Sequence, residues 1–403
     1  MRLTNTPTRY GSVTKTFHWL TVLGIAAAIP LGILANDAPY DTSAELANKA
    51  WLFSLHKTVG VTIFFVALLR ILWALTQPKP APLHPDRRAE SWLAETVHWL
   101  LYGSLVLVPL TGWMHHAATT GFAPIWWPFG QSLPFVPKST AWADTTAALH
   151  IIFERVLIVS IVLHVAGALK HHFVDRDATL RRMWFGGTEA GAAGRGHAKL
   201  LPLAAALVIW GAAVGIGNAL GVFQHEASAA QVAALQEVDS DWQVQDGTLA
   251  ITVQQMGSGV TGSFADWTAD ITFDQQDAPG KTGEVSVTVA IGSLTLGSVT
   301  KQAMGADFFN ADQFPTARFD ADINKVADGY EADGTLTVKD QTVPVVLPFQ
   351  LTLEGDSAEM QGRLTLDRRD FAIGENMNDE SQLGYEVAVE VELTATKGDA
   401  ADE

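Results

Sequence analysis

One strongly apolar stretch of the chain, HIIFERVLIVSIVLH, begins with His150 and ends with His164. Fourteen residues of α-helix rise about 21 Å and make nearly four full turns, so both imidazoles would face the same way at two different depths. Imidazole binds haem iron, zinc and copper, and it also donates and accepts hydrogen bonds. The spacing therefore predicts two sites of metal or hydrogen-bonding chemistry along one helix.

Two more histidines, His18 and His56, lie at the starts of other apolar segments. Five segments are long enough to supply the roughly 20 helical residues that cross a bilayer. They are Phe17–Leu34, Leu52–Leu75, Thr96–Met114, Ala147–Leu169 and Leu200–Phe223. The first also has features of a cleaved signal peptide that would end at Ala35, and EASAA after the fifth is a candidate cleavage segment. We expect neither cleavage to occur, so that the first and the fifth spans are both retained in the protein.

The distribution of basic residues predicts the orientation of these spans. Lys and Arg are frequent before the first span, between the second and third, and between the fourth and fifth. The opposite connections hold only Lys49, Lys57 and Lys138. Because positive residues are retained on the cytoplasmic side, we expect a cytoplasmic N-terminus and an external segment after the fifth span.

Charge separates the chain into two parts. Residues 1–200 carry 17 Lys and Arg against 11 Asp and Glu, whereas residues 201–403 carry 9 against 32. The acidic second part disfavours nucleic acid and anionic lipid as direct partners and favours solubility. The chain has no cysteine, which excludes disulfides, iron–sulfur clusters, thiolate zinc sites and thioether-attached haem.

The predicted orientation sorts four histidines into two pairs at matching depths. His18 and His164 would lie at the inner level, and His56 and His150 at the outer level. Each pair suits one iron bound from opposite faces of a haem ring, with the irons about 20 Å apart across the membrane. Helix-to-helix hydrogen bonding is the alternative role of each histidine, and zinc or copper is an alternative metal, although such sites usually gather three or more ligands. Spacing alone does not rank these four above five others at span ends: His98, His115, His116, His171 and His172.

The acidic second part has a different pattern, with repeated signals for β-strands. The segments are GTLAITVQQM, DWTADITFD, GEVSVTVAIGSL, GTLTVKDQTVPVVLPFQLTL, AEMQGRLTL and GYEVAVEVELTAT. The last alternates apolar Tyr385, Val387, Val389, Val391 and Leu393 with acidic Glu386, Glu390 and Glu392, so one face would be apolar and the other would meet water. Such strands, joined by Gly- and Asp-rich turns, predict an antiparallel barrel, and an eight-stranded barrel can hold one small ligand.

Several phrases of the first part together resemble the bacterial cytochrome b561 family. They are FHWL at 17–20, LHKTVG at 55–60, LH at 149–150, LHVAGALKHHF at 163–173 and RDATLRRM at 176–183. The resemblance implies a four-helix membrane domain over 8–185 with two non-covalent b-type haems. By position, the family's axial ligands fall on His18, His56, His150 and His164. His98 and His171 become candidates for a quinone site or for neighbours of the ligands, against ordinary interfacial hydrogen bonding.

Two intramembrane arginines are candidates for binding haem propionates. Arg155 follows Glu154 inside the opening stretch and would suit the outer haem, and Arg70 lies near the inner end of the second span. A charge within the membrane is costly and normally has a partner. A structural ion pair, such as Glu154 with Arg155, is the alternative in both cases.

The second part resembles the YceI family of lipocalin-like periplasmic proteins, which hold isoprenoid chains in an apolar tunnel. The phrases are MGSGVTGSFADW at 256–267, FFNADQFPTARF at 308–319, GTLTVKDQTVPVVLPF at 334–349 and LDRRDFAIG at 366–374. Three positions depart from the family: Gln255 stands where His is common, Asp246-Gly247-Thr248 where a Ser-His-Ser-like segment is common, and Ala372 where Gly is usual. The departures affect the polar contacts to a ligand head group. A filled apolar core is the alternative to a ligand cavity.

The two resemblances imply a two-domain protein of the bacterial inner membrane. We expect a cytochrome b561-like four-helix transmembrane domain over 8–185, a cytoplasmic loop and fifth transmembrane helix over 186–223, a linker over 224–238, and an all-β lipocalin-like antiparallel barrel over 239–396 in the periplasm.

The expected function is that of an oxidoreductase that moves electrons between quinone or quinol and another partner, such as superoxide or a periplasmic protein, while the barrel binds an isoprenoid or quinone. The alternative is an isoprenoid- or lipid-binding or trafficking protein whose cytochrome domain is an anchor or redox sensor. A homo-oligomer is a further expectation, and a His-lined metal transporter is disfavoured because cysteine is absent and intramembrane carboxylates are scarce.

Overall fold

The computed structural model describes residues 2–119, 122–184, 186–188, 200–224, 234–236, 238 and 240–398. The chain divides into two compact units. The helical unit comprises Met1–Ala38, Trp51–Thr119 and Pro124–His225, and the β unit comprises Pro39–Ala50, Thr120–Ala123 and Glu226–Glu403. The candidate cleavage segment 226–230 and most of the predicted linker 224–238 lie outside the described residues.

Five long helices correspond to the five predicted spans. They are α1 Ser12–Asp37, α2 Ser43–Leu75, α3 Arg88–Ala118, α4 Thr140–Lys170 and α6 Leu200–Ala219, with a π-helical turn His171–Asp175 after α4 and a short α5 Thr179–Met183. All five are long and apolar enough to cross a membrane, which confirms the prediction of an all-α transmembrane part. The first four begin before the predicted spans because the apolar run sets only the length within lipid, and a helix continues into the interface.

Local signals explain where some of these helices begin. At α2, Thr42 Oγ1 accepts a hydrogen bond from the backbone of Glu45 at 3.3 Å, and the Glu45 carboxylate accepts one from the backbone of Thr42 at 3.1 Å. This reciprocal pair is a capping box. At α4, Ser139 Oγ accepts a hydrogen bond from the backbone of Trp142 at 3.4 Å. Short polar side chains therefore satisfy the free N–H groups at both helix starts.

Small residues allow α6 to pack closely against other helices of the helical unit. A Cβ on Gly103 of α3 would overlap the ring of Trp210, whose Nε1 donates to Ser104 Oγ at 3.4 Å. Gly217 of α6 lies against Ile152 of α4. Gly217 thus permits close packing, whereas nothing lies within 4 Å of a Cβ at Gly211 or Gly215. Such close approach is the usual way in which helices pack in a membrane, because van der Waals contact replaces the hydrophobic effect there.

The described residues of the β unit form ten antiparallel strands in one sheet. They are β1 Trp242–Gln255, β2 Ser258–Phe264, β3 Trp267–Phe273, β4 Gly280–Ala290, β5 Leu294–Thr295, β6 Thr316–Val326, β7 Gly329–Val338, β8 Gln341–Glu354, β9 Ser357–Asp367 and β10 Leu383–Lys397, with a short helix α7 Thr300–Met304. The strand order is β3-β4-β6-β7-β8-β9-β10-β1-β2-β5. The predicted lipocalin-like antiparallel fold is confirmed as a curled half-barrel, whose order runs from β3 at one end to β5 at the other.

The alternation predicted for the last strand sets the inner and outer faces of the sheet. Val387, Val389 and Val391 of β10 line the interior, and Glu386 and Glu392 are exposed. Strand β10 pairs with both β9 and β1, so its register positions the inner residues of those strands as well. A shift by one residue would place the glutamates inside.

Candidate functional site

The outer pair of histidines meets as the sequence analysis predicts. The ring centroids of His56 on α2 and His150 on α4 lie 6.4 Å apart, with their planes at 87°. His56 Nδ1 lies 2.9 Å from the carbonyl of Ala28, and His150 Nδ1 lies 2.8 Å from the carbonyl of Val108. A carbonyl only accepts hydrogen bonds, so each Nδ1 carries the proton and each Nε2 keeps a free lone pair. This tautomer is the one that binds a metal through Nε2.

A glycine stands one helical turn after each of these two carbonyls. A Cβ on Gly32 would lie 2.9 Å from the His56 ring, and a Cβ on Gly112 would lie 2.9 Å from His150 Nδ1. Any side chain at either position would therefore displace the imidazole that passes over it. Neither glycine was predicted from the sequence. The available signal was an isolated glycine inside an apolar span, which marks a close approach of another group.

The inner pair has a similar separation but different hydrogen bonds. The ring centroids of His18 and His164 lie 6.2 Å apart, with their planes at 60°. Arg70 Nη2 lies 3.4 Å from His18 Nδ1, and the Arg70 guanidinium lies 5.2 Å from the centre of the Tyr102 ring. The ring of His98 is 5.4 Å from that of His164. The structure thus places two predicted residues, Arg70 and His98, beside the inner pair.

The two separations can be tested against the geometry of a metal held by two imidazoles. A metal–imidazole bond is about 2.0–2.1 Å long, and the ring centre lies about 1.1 Å beyond the nitrogen, so opposite ligands of one metal have centroids about 6.2–6.4 Å apart. The observed values of 6.2 and 6.4 Å match. Because the chain has no cysteine, a haem held here would be non-covalent. The separations of both pairs, and the free Nε2 lone pairs of His56 and His150, suit a haem iron.

Arg155, the other predicted arginine, has different surroundings from Arg70. The Arg155 side chain is 73% exposed, and its Nε lies 3.5 Å from the carboxylate of Glu154. The structure thus gives Arg155 the neighbouring acid as a partner, which was the structural alternative. Its role beside the outer haem stays a prediction.

His171 lies in a polar cluster just after α4. Its Nδ1 lies 2.7 Å from Asp177 Oδ2, its Nε2 lies 3.0 Å from Glu90 Oε1, and His84 Nε2 lies 3.0 Å from the same Asp177 oxygen. Burial acts to raise the pKa of Asp177, but hydrogen bonds from Thr179 and the two histidines bring it below its usual value. Both nitrogens of His171 therefore already face carboxylates.

Two further histidines lie side by side near the end of α3. His115 Nδ1 lies 2.8 Å from the carbonyl of Ala143, and the rings of His115 and His116 lie 4.6 Å apart. His172 is exposed.

The β unit encloses a cavity of about 310 Å³ between its strands. Alkyl and aromatic side chains form nearly the whole lining, and amide or charged groups come only from Gln255, Gln302 and Arg368 among the described residues. The guanidinium of Arg368 donates to five backbone carbonyls, those of Ile373, Gly374, Met377, Leu383 and Gly384. The structure supports the cavity over the alternative of a filled core.

One end of the cavity is covered by residues from separate segments of the β unit. Leu46 is fully buried against Met377 and Leu383, and it contributes to the cavity lining. Phe308 and Met256 pack against the same group. Apolar contact thus continues to the end of the cavity at which Gln255 lies.

Comparison with known sequences separates the same two regions. A family profile described as prokaryotic cytochrome b561 matches residues 9–186. Cytochrome b561 homolog 2 of Escherichia coli (strain K12) is 32% identical over 188 residues, which cover 45% of this chain and 95% of that relative. The chain belongs to the prokaryotic cytochrome b561 family. This cytochrome b561 is also 28% identical to a Yersinia pestis protein named "Probable superoxide oxidase CybB", over 43% of this chain and 95% of that relative.

The second half of this cytochrome b561 carries a further domain. A profile described as YceI-like domain matches residues 237–395. The crystal structure of BcnA from Burkholderia cenocepacia is 27% identical and has a TM-score of 0.35, covering 37% of this chain and 96% of that one. Membership of the cytochrome b561 family implies a b-type haem, a membrane location and an electron-transfer function. Both resemblances found in the sequence are thereby confirmed.

The structure describes the surroundings of all three departures from the YceI pattern. Ala372 has a φ of 51°, in the left-handed region that a glycine occupies without strain. Gln255 is only 3% exposed, and its Oε1 is buried without a hydrogen-bond partner. Asp246 accepts a hydrogen bond from the backbone of Gly247 at 2.9 Å on the exposed side of β1.

Proposed function

We propose that this cytochrome b561 binds two b-type haems, one between His18 and His164 and one between His56 and His150. The observation that carries the proposal is the pair of centroid separations, 6.2 and 6.4 Å, which suit two imidazoles on one iron. When bound, haem supplies one-electron redox chemistry. Because His150 and His164 lie 14 residues apart on α4, the two sites are separated by about 21 Å along the helix.

We assign separate roles to the residues around these ligands. The carbonyls of Ala28 and Val108 hold the outer imidazoles by their Nδ1 protons, which keeps Nε2 directed at the metal position. Arg70 lies beside His18, and its permanent charge suits an inner haem propionate. His98 lies against His164 and would limit how that ring turns. Arg155 remains a candidate for the outer propionate on the basis of the sequence alone.

The proposed reaction transfers electrons between quinone or quinol and a second partner. The depth of the two histidine pairs supports transfer across the membrane, and the distribution of Lys and Arg supports a cytoplasmic N-terminus with the β unit in the periplasm. The name of the Yersinia pestis relative supports superoxide as the second partner. A periplasmic protein is the other proposed partner. We assign His171 to the cytoplasmic end, where its cluster of carboxylates would handle protons near a quinone.

The proposed role of the β unit is to bind an isoprenoid or quinone. Its support is a cavity of about 310 Å³ lined almost wholly by apolar side chains. Burial of an isoprenoid chain there would remove apolar surface from water. We propose domain limits of 8–185 for the cytochrome, 186–223 for the loop and fifth helix, 224–238 for the linker, and 239–396 for the barrel.

A spectrum of the purified full-length protein tests the haem proposal. Dithionite should produce reduced b-type haem, and haem analysis should give two haems per chain. A colourless protein or one haem per chain would contradict the proposal. Rapid reduction of the haems by a short-chain quinol, or by superoxide, identifies the electron donor.

A second candidate function is isoprenoid binding or trafficking with the cytochrome as an anchor or redox sensor. The observation that favours it is the extent of the apolar cavity, which needs no redox chemistry to hold a lipid. Quinol oxidation and lipid analysis of the same purified protein distinguish the two functions. Haems that do not react with quinol, together with lipid that copurifies in the cavity, would favour trafficking over electron transfer.

A further inference from the structure

The cavity of the β unit contains one polar atom that nothing in the described part of the chain satisfies. Gln255 lines the cavity and is 3% exposed. Its Oε1 is buried and accepts no hydrogen bond. A buried acceptor without a donor is costly, so such atoms in native proteins usually have an explanation. Most of the surrounding side chains are alkyl or aromatic, and none of the described residues donates to it.

The other two polar lining residues do not compensate for this atom. The Arg368 guanidinium donates to five backbone carbonyls, so its N–H groups are already used. Gln302 belongs to the short helix α7 and is half-buried. A donor on a molecule that occupies the cavity would satisfy this atom.

Strand β1 places this acceptor at one end of an apolar track. Leu249, Ile251, Val253 and Gln255 alternate along β1, and all four line the cavity. Gln255 is the last residue of the strand, and ladders to Ser258 on β2 and Leu383 on β10 hold its backbone. A linear ligand would therefore lay an apolar chain along β1 and bring its head group to Gln255.

We propose that Gln255 Oε1 accepts a hydrogen bond from a hydroxyl group on an isoprenoid ligand, so that the β unit selects a hydroxyl-bearing head group over one with carbonyls only. This inference rests on the proposed binding of an isoprenoid in the cavity. A hydroquinone and a prenyl alcohol share the required donor, whereas an oxidised quinone offers only acceptors. The two carbonyl oxygens of a quinone would leave Gln255 Oε1 unsatisfied.

Such selectivity would have a redox consequence for an isoprenoid quinone. Tighter binding of the hydroquinone than of the quinone raises the midpoint potential of the bound couple by about 30 mV for each tenfold difference in affinity. The β unit would then withdraw the reduced form from the pool. Its preference would be set by one amide oxygen in an otherwise apolar cavity.

Redox-inert ligands test the inference without interference from haem. The oxidised full-length protein in detergent is equilibrated with farnesol, a decyl-substituted phenol, and the methyl ether of each, and bound ligand is measured by mass spectrometry. We expect each hydroxyl compound to bind about tenfold more tightly than its ether. Tighter binding of the phenol than of farnesol would identify a hydroquinone as the ligand class, and the reverse order would identify a prenyl alcohol.

Two variants separate a hydrogen bond from the bulk of the added methyl group. Gln255→Met keeps a side chain of similar length without the acceptor, so it should bind both forms about equally while retaining affinity for the chain. Gln254→Met, at the preceding exposed amide of β1 outside the cavity lining, should keep the wild-type preference. Equal binding of alcohol and ether by the wild type, or an unchanged preference in Gln255→Met, would overturn the inference. Failure of all four compounds to bind would instead contradict the proposed isoprenoid site.

Discussion

The helical unit and the β unit arrange polar and apolar side chains in opposite senses. Leu72 on α2 is 60% exposed, whereas the imidazoles of His56 and His150 face each other between helices. On the β unit, the ion pair of Arg318 and Asp320 lies on the exposed face, and the interior is an apolar cavity. The surface of the first unit suits lipid and that of the second suits water.

This difference shows where function is found in each unit. In both surroundings, a buried polar group without a partner is costly. The polar groups that are buried in apolar surroundings are therefore the candidate functional groups of each unit. They are paired imidazoles within an apolar bundle and a single amide within an apolar cavity. Each group is held by backbone geometry, through carbonyls of α1 and α3 in the helical unit and through strand ladders at Gln255 in the β unit.

Loss of an outer imidazole should have the largest effect on the helical unit. His56→Ala and His150→Ala are each expected to remove the outer haem and leave the inner one, because one ligand of the pair is lost. Haem content per chain should fall to about half, as measured by pyridine haemochrome analysis and redox titration. His172→Ala, at an exposed position, is the control and should retain both haems. Spectra in which the first two variants lose different haems would contradict the pairing.

A methyl group beside the outer pair should have the next largest effect. Gly112→Ala would place a Cβ 2.9 Å from His150 Nδ1, which should push the ring away from the Val108 carbonyl and lower outer haem occupancy. The absorbance of the outer haem in purified protein measures this loss. Gly167→Ala on α4 is the matched control, since nothing lies within 4 Å of its Cβ. That control should keep both haems and gain about 0.5–1 kcal/mol of helix stability.

The two arginines sharpen the comparison between half-buried and exposed charge in the helical unit. Arg70→Gln should lower the midpoint potential of the inner haem, because loss of a nearby positive charge disfavours the reduction that adds an electron. Potentiometric titration of each haem measures the shift, which we expect in tens of millivolts. Arg155→Gln, at a side chain that is 73% exposed, should leave both potentials nearly unchanged. A larger shift of the outer haem in Arg155→Gln would assign that arginine to the outer propionate.

The smallest expected effect concerns backbone strain in the β unit. Ala372 has a φ of 51°, so Ala372→Gly should raise the free energy of unfolding by about 1 kcal/mol. Thermal unfolding of the full-length protein, followed by tryptophan fluorescence, measures the change. Ala388→Gly within β10 is the opposite control and should destabilise by about 0.5–1 kcal/mol. A loss of stability in Ala372→Gly would show that the left-handed residue is not strained.

Much of the fold follows from short-range patterns in the sequence. The five spans depend on runs of apolar residues, and β10 depends on alternation that starts near Tyr385, so neither requires knowledge of distant neighbours. Strands β2 and β6 were not among the predicted strands. In β6, Ala317, Phe319 and Ala321 do alternate with polar residues, but two of the three are small, which weakens the signal. In β2, the Gly- and Ser-rich composition conceals the strand.

The candidate site was predictable only in part. Helical rise converts sequence separation into depth, which paired His18 with His164 and His56 with His150. The family resemblance ranked these four above the other histidines. The contrast between Arg70 and Arg155 was not predictable, because each is an arginine inside a span. The direction of each side chain depends on which helix packs against it.

The sequence by itself determined the spans, the alternating strands, the two families and the two depths at which histidines pair. These properties are local, since they arise from hydropathy and from the fixed rise of helices and strands. Only the tertiary structure decided that Gly32 and Gly112 make room for the outer imidazoles, that Ala28 and Val108 set their tautomer, and that Gln255 is unsatisfied. Such contacts join residues far apart in the chain, and their geometry depends on packing that no single segment specifies.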